Sequence, residues 1–573
     1  MRATGGVGGG RGLRGAVLVL VLVGIVLPIL AGLWHTARAA FGVLPALGYT
    51  TPSLHPWAQL LGQPGFATSL HLTLLTGFGT TLAALILATG FCAVVHGRIG
   101  ARGAGRMLAP FLAAPHAAMA IGLAFLIAPS GWVVRLISPW LTGWALPPEV
   151  MTVGDPQGLA LILGLLVKEV PFLLLVILSA LGQIPVRAHL ATGRALGYGR
   201  GIAWIKIVLP QVYPLIRLPV YVVLAFSLSV VDVAIILGPS NPATLAVAVL
   251  RWFSDPDTAR ILLASAGALL QAAIAIGGIG VWWLGERLVG HLGRWWVDRG
   301  GRGLSAEPGL WAVSVVVLAL MALGALALLV LILWSVAWRW SFPHALPESW
   351  YVQDWYDPAG GWAHALVATV KIGCATTVMS LSLAIAWLEA EDLAGIGRLR
   401  WATMLIYLPL LLPQIAFLYG LNVAFLRVGI GGNMAAVIWG QLLFVFPYVM
   451  ITLSDPWKAL DRRLTNTAAA LGATPLRRLF AVKLPILLRP ICTAAAVGFA
   501  VSVGQYLPTL FLGAGRISTL TTEAVTLSSG SDRRVVGVYA VLQAALPFLV
   551  YVAAFWVPAL TQRNRRALAG ADA

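Results

Sequence analysis

The sequence predicts an all-α polytopic membrane protein of about twelve transmembrane helices, arranged as two parallel six-helix repeats. Three observations predict it. The 573 residues are 59% hydrophobic and only 10% charged, with a mean hydropathy of +0.89, where a soluble chain carries about 25% charged residues. Apolar runs long enough to cross about 30 Å of hydrocarbon recur along the whole length. Two loops 275 residues apart share one spacing, ATGRALG at 191–197 closing at Pro210 and NTAAALG at 466–472 closing at Pro485.

The expected spans are 14–36, 67–95, 107–128, 158–182, 215–238 and 261–285, then 310–337, 363–388, 401–425, 433–453, 490–513 and 537–560. The first follows Arg11 and Arg14 and has the look of a secretory signal, with residues 37–39 as a cleavage site. Segment 310–337 holds the same place in the second half and cannot be a signal, so 14–36 reads as an uncleaved anchor. In the second span of each half, Thr73, Gly77, Thr80 and Thr81 match Thr369, Gly373, Thr376 and Thr377 at an offset of 296. The offset then falls by 21, which places extra residues of the first half in the Pro/Trp-rich stretch 129–156. In the fifth spans, Phe226 and Ser229 match Phe499 and Ser502, and Thr244-Leu245 matches Thr519-Leu520 just beyond. The expected units are 1–293, a Gly/Arg-rich linker at 294–308, and 309–573.

Basic residues set the orientation. The net charge is +18, but the cations alternate between loops instead of forming one patch, which excludes nucleic acid and follows the positive-inside rule. One inner loop holds Arg98, Arg102 and Arg106, another Arg287, Arg294, Arg299 and Arg302, and the tail Arg563, Arg565 and Arg566. The richest holds Lys458, Arg462, Arg463, Arg477, Arg478, Lys483 and Arg489. Both termini are therefore expected in the cytoplasm, with the lipid bilayer as the chain's medium. Cys92, Cys374 and Cys492 sit in apolar surroundings without metal or disulfide spacing.

The paired loops read as elbows at 186–210 and 461–485. Ala, Leu and Thr favour a short helix, and Gly197 or Gly472 follows its last apolar residue, where φ turns positive. A second short run follows, and Pro210 and Pro485 fall where the next membrane helix is expected to begin. Small and apolar residues on such elbows suit a partner's groove, and the candidate coupling positions are Ala191, Gly193, Leu196 and Gly197 in one loop and Asn466, Ala468, Leu471 and Gly472 in the other.

This pattern resembles the EAA loop of permease subunits in binding-protein-dependent ABC importers, in which a glycine and then a proline follow EAA. The resemblance puts the loop glycine at Gly197 and Gly472 and the closing proline at Pro210 and Pro485. The family's glutamate position holds Ala191 and Asn466, so any salt bridge through that glutamate is missing. The resemblance implies two six-helix permease halves whose loops dock two copies of a cytoplasmic ABC ATPase. It also implies a periplasmic or extracellular solute-binding protein and a bacterial inner-membrane location. A single chain with two halves looks most like ferric-iron and thiamine importers, and the stretches at 168–172 and 513–520 are similar to those groups. The cargo is expected to be thiamine-like or ferric iron. No lysine sits in a phosphate-binding G-x4-G-K-[S/T] loop, so no cofactor is expected in this chain and ATP is expected on the partner subunits. No catalytic constellation stands out, so the chain is not expected to be an enzyme.

Charges inside the spans define the candidate path. Lys168 and Glu169 lie in the fourth span and Asp232 in the fifth. At about 1.5 Å per residue, Lys168 is about 14 Å and Asp232 about 8 Å from the outer ends of their spans, which puts them within mutual reach. Phe444 and Val445 stand opposite the first pair in the second half, and Gln505 opposite Asp232. Two roles stay open for Lys168, Glu169, Asp232 and Gln505: a buried tie between helices, or the lining of a translocation path. Lys371 is expected to snorkel, and His71, His116 and His364 to pack rather than bind metal. A 6+6 ion-coupled secondary transporter is the rival reading, and the twin elbows argue against it.

Overall fold

Lipid offers no hydrogen bonds, so an apolar chain crosses it only by satisfying its amides internally. The computed structural model describes residues 6–96, 108, 110–300, 306–357, 361–394, 400–530 and 532–561. Arg98, Arg102, Arg106, Arg302, Arg563, Arg565 and Arg566 lie outside the described residues. Among the described residues ten helices are long and apolar enough to span a membrane, or twelve if two sharply bent pairs count as one span each. The protein is all-α and polytopic apart from a two-residue ladder, β1 (Ala337–Arg339) against β2 (Ser349–Trp350).

The first half runs α1 (Gly12–Ala40), α2 (Phe66–Val95), α3 (His116–Ile127), α4 (Leu159–Leu181), α5 (Val186–Ala195), α6 (Arg200–Ser229), α7 (Asp232–Leu237), α8 (Leu245–Phe253) and α9 (Arg260–Asp298). The second half begins with α10 (Glu307–Ser335), α11 (Trp362–Ala394), the bent pair α12 (Met404–Leu411) and α13 (Ile415–Arg427), and α14 (Met434–Ala459). It continues through α15 (Arg462–Ala470), α16 (Pro475–Ile486), α17 (Leu488–Val503), α18 (Leu507–Gly513), α19 (Leu520–Ser528) and α20 (Arg533–Thr561). The stretch expected to be a linker is helical at both ends, since α9 runs to Asp298 and α10 starts at Glu307.

Four expected spans are not continuous. Segment 401–425 bends by 107° at Pro413, and 215–238 and 490–513 both break, at residues 230–231 and 504–506. In the first half α3 likewise starts directly after a break at Pro115. A break exposes carbonyls that lipid cannot satisfy, and the fold supplies donors. Buried Gln271 of α9 donates to the Leu228 carbonyl at 2.8 Å. Buried Gln543 of α20 donates at 2.7 Å to Thr521, which donates in turn to the Val503 carbonyl. The short helices α8 and α19, which follow the breaks in the fifth spans, are held the same way twice. Thr73 accepts from the Leu245 amide at 3.0 Å, and its counterpart Thr369 accepts from the Leu520 amide at 2.9 Å.

The first span of each half packs on the other half. α1 lies against α11 and α13, with Ile25, Ile29, Thr36 and Ala39 buried, and Trp439 of α14 donates to the Gly24 carbonyl at 2.7 Å. α10 lies against α3, α2 and α4. Two matched glycines allow this approach: a Cβ on Gly420 would stand 1.9 Å from the Gly32 carbonyl oxygen, and one on Gly122 would stand 2.2 Å from that of Ala327.

Candidate functional site

Each elbow is built by local rules. α5 ends at Ala195 and α15 at Ala470, capped by Leu196 and Leu471, and the residues after the caps, Gly197 and Gly472, have φ of +80° and +83°, which glycine adopts without strain. Gly197 donates to the Arg194 carbonyl and Tyr198 to that of Gly193; Gly472 donates to Ala469 and Ala473 to Ala468. This crossed pair of bonds satisfies the last carbonyls of both helices. Gly193 is buried because a Cβ there would lie 3.0 Å from that of Ala203, so the elbow closes tightly, while Ala468 is partly exposed. Ala191 and Asn466 are exposed. Leu196 is 58% and Leu471 84% exposed, and Leu476 and Phe480 stand out beside the latter.

Pro210 and Pro485 stand in the first turn of the α-helical segments Leu209–Ser229 and Leu484–Ile486, where a helix start was expected. In the first half the helical path also reaches ten residues further back, to Arg200. Each proline follows a π-helical turn, Trp204–Val208 or Leu479–Lys483. There the hydrogen bonding shifts to i→i+5, with Leu209 donating to Trp204 and Leu484 to Leu479. The wider turn accommodates a residue that has no amide to donate. The first elbow then continues into α6, whereas the second bends by 78° between α16 and α17.

The mid-span charges are arranged differently from the expectation. Lys168 does not pair with Asp232. Its ammonium donates to the carbonyls of Phe111 and Ala114, at 2.6 and 2.5 Å. Pro115 explains this, because it has no amide to give the Phe111 carbonyl four residues back. Glu169, with a side chain only 7% exposed, meets His116 at 3.4 Å. His116 lies within electrostatic reach of Asp232 and packs its ring on Phe226 at 4.7 Å. Gln414, directly after Pro413, donates to Gln505 at 3.3 Å. The two halves meet here: Gly504 approaches Pro115, and Tyr506 and Tyr448 of the second half lie within electrostatic reach of Asp232 and Glu169 of the first. His116, Asp232, Gln414 and Gln505 are all partly accessible while most of their neighbours are buried. The breaks thus gather a polar set that carries two carboxylates from one half and two amides from the other. Lys371 is exposed, as a snorkelling residue would be.

Known proteins place this architecture. Residues 395–566 match the family described as "Binding-protein-dependent transport system inner membrane component". The inner membrane ABC transporter permease protein YnjC of Escherichia coli (strain K12) is 32% identical over 546 residues, covering 93% of this chain and 98% of that protein. The chain belongs to the binding-protein-dependent ABC permease family. It is an inner-membrane-type ABC transporter permease subunit, which answers the choice against an ion-coupled carrier. Its relatives are transport permeases, and the family works with ATPase and substrate-binding partners. Shorter similarities include the molybdenum transport system permease protein ModB of Mycobacterium tuberculosis, 32% identical over 26% of this chain and 62% of that protein. The putrescine transport system permease protein PotI of Escherichia coli is 28% identical over 30% and 63%.

Sequence reasoning missed several members of these sites. His116 and Gln414 each follow a proline inside an apolar run, and that shared register was the available signal. Gln271 and Gln543 are the polar residues buried in the middle of the two sixth spans, 272 positions apart, and went unmatched.

Proposed function

We propose that this permease forms the solute path of an ATP-driven importer and that its two elbows dock two copies of a cytoplasmic ABC ATPase, which bind the ATP. The elbows and both termini then lie in the cytoplasm, and a periplasmic or extracellular solute-binding protein delivers cargo to the opposite face. The duplicated elbow carries this reading: two helices closed by the same glycine turn, each presenting an exposed leucine, Leu196 or Leu471, at its tip. Apolar side chains held in water at a fixed turn are docking features. The units 1–293 and 309–573 act as the two halves of the path.

Within that path the accessible His116, Asp232, Gln414 and Gln505 contact cargo in transit, with Glu169 buried behind His116 and Lys168 turned away onto carbonyls. The path's surplus of carboxylate favours a cation over an oxyanion, in keeping with a thiamine-like or ferric-iron cargo. Affinity purification of the tagged chain from its own bacterium tests the docking. The ATPase is expected to co-purify with wild type and to be lost from a Leu196→Asp, Leu471→Asp variant that still runs as a monodisperse protein. Undiminished ATPase on that variant would refute the elbow as the docking element. Uptake by cells carrying Asp232→Asn, at normal membrane abundance, tests the path; wild-type uptake would remove that charge from it.

A further inference from the structure

The second span of each half ends beside the elbow, and in both halves a cation from the elbow is bonded to that end. In the first half Arg200, which opens α6, donates from Nε to the Ala93 carbonyl at 2.8 Å and from Nη2 to the His96 carbonyl at 2.7 Å. In the second half Lys483, in the π turn, meets Glu389 at 2.5 Å and Asp392 at 2.7 Å. Trp457, near the end of α14, donates to the same Asp392 oxygen at 3.0 Å and lies 5.4 Å from the Lys483 ammonium. Lys483 and Glu389 are buried. Glu389 and Asp392 stand at the positions of Ala93 and His96, shifted by the 296-residue offset of the second spans. The cations do not correspond in sequence: Pro475 stands where Arg200 would fall, and Val208 where Lys483 would. The same two anchor points are thus reached by different chemistry, backbone carbonyls in one half and carboxylates in the other. Local packing alone gives no reason for the anchor points to coincide.

We propose that Arg200 and Lys483 are positioning residues that make each elbow and the end of its second span one mechanical unit, so that a displaced elbow carries α2 or α11 with it. This rests on the reading that the elbows dock the ATPase. A salt bridge between buried partners is stiff, because breaking it strands charge in a low-dielectric site. The two donors of one guanidinium fix direction as well as distance. Through α2 and α11 the displacement reaches Thr73 and Thr369, and hence the short helices α8 and α19 whose first amides donate to them.

Distance measurements between spin labels test this without knowledge of the cargo. In a chain with Cys92, Cys374 and Cys492 replaced by serine, one pair sits on the elbows (Thr192→Cys with Thr467→Cys). A second pair sits on the span ends (Val95→Cys with Ala394→Cys). The permease is placed in nanodiscs with its co-purifying ATPase and trapped with ATP and vanadate. In the otherwise unaltered chain both distances are expected to change together. With Arg200→Met and Lys483→Met the elbow pair still changes, and the span-end pair moves less than half as far. Lys483→Arg, alone, keeps the wild-type response. Span ends that follow the elbows fully in the double variant would overturn the proposal. An elbow pair that fails to move in the unaltered chain would overturn the docking reading itself, and the proposal with it. If the double variant does not fold, Glu389→Gln with Asp392→Asn serves instead. A Thr467→Cys with Ala394→Cys distance, constant on trapping without those two changes, is then expected to vary, and constancy would refute the tether.

Discussion

Gly420→Ala tests the crossing between the two halves. The added methyl would stand 1.9 Å from the Gly32 carbonyl oxygen and 2.8 Å from both the amide nitrogen and the hydroxyl of Thr36. Non-bonded carbon atoms of this kind stay beyond about 3 Å, so α1 and α13 must separate by about 1 Å or more. Two of the obstacles are backbone atoms, so no rotamer change relieves the clash. Overpacking of this type costs about 1–3 kcal/mol, and since 1.4 kcal/mol is a factor of ten, local opening becomes about 5- to 150-fold more frequent. Hydrogen–deuterium exchange of peptides covering 27–40 and 415–427 reads that opening directly. Gly277→Ala is the control, because nothing lies within 4 Å of a Cβ there. Exchange in both peptides that matches wild type would refute the reasoning, and exchange that rises equally in the control would show a helix-wide effect rather than a clash.

Thr369→Val removes the acceptor for the Leu520 amide, and Thr73→Val does the same for Leu245. A lost buried hydrogen bond costs about 1–3 kcal/mol, so exchange at the start of α19 or α8 should rise while the elbows stay as protected as before. His96, at the end of α2, has its pKa held below the ordinary value, first by burial and then by Arg200 and Arg187. The unfolded chain therefore takes up its proton first as pH falls below about 6.5, and acidification from there down through the lower folded value destabilises the fold. His96→Gln should flatten the fall in apparent melting temperature between pH 7.5 and 5.5, and an unchanged slope would assign that sensitivity to other groups. Both halves are expected to respond alike to the glycine change, so Gly122→Ala should loosen α3 from α10 as Gly420→Ala loosens α13 from α1.

Much of the fold was legible because membrane spans are written in composition and repeats in spacing. Gly197 and Gly472 announced their turns, since few other residues tolerate that φ. The matches Thr73 with Thr369 and Leu245 with Leu520, read as bare similarity, turned out to be the two ends of one duplicated hydrogen bond. The breaks were not legible, because Pro115 and Pro413 sit inside runs whose hydropathy alone looks continuous. That error propagated. The placement of Lys168 opposite Asp232 assumed straight helices, and a proline-freed carbonyl captured the lysine instead. The helical stretch before each elbow proline was hidden for a related reason, because a π turn leaves no mark in hydrophobic periodicity. The Lys483, Glu389 and Asp392 cluster joins residues more than 90 positions apart, and only the fold brings them together.

The exchanged first spans impose an order on biogenesis. Helix α1 is made well before its neighbour α13, which begins at Ile415, some 375 residues after Ala40. At about 5–20 residues per second, synthesis of the intervening chain takes roughly 20 to 75 s. Throughout that interval the surface holding Ile25, Ile29 and Gly32 has no permanent cover and must be sheltered by lipid or by the insertion machinery. Co-expressed half-chains would face the same wait at a distance: neither could complete its own wall until the other arrived.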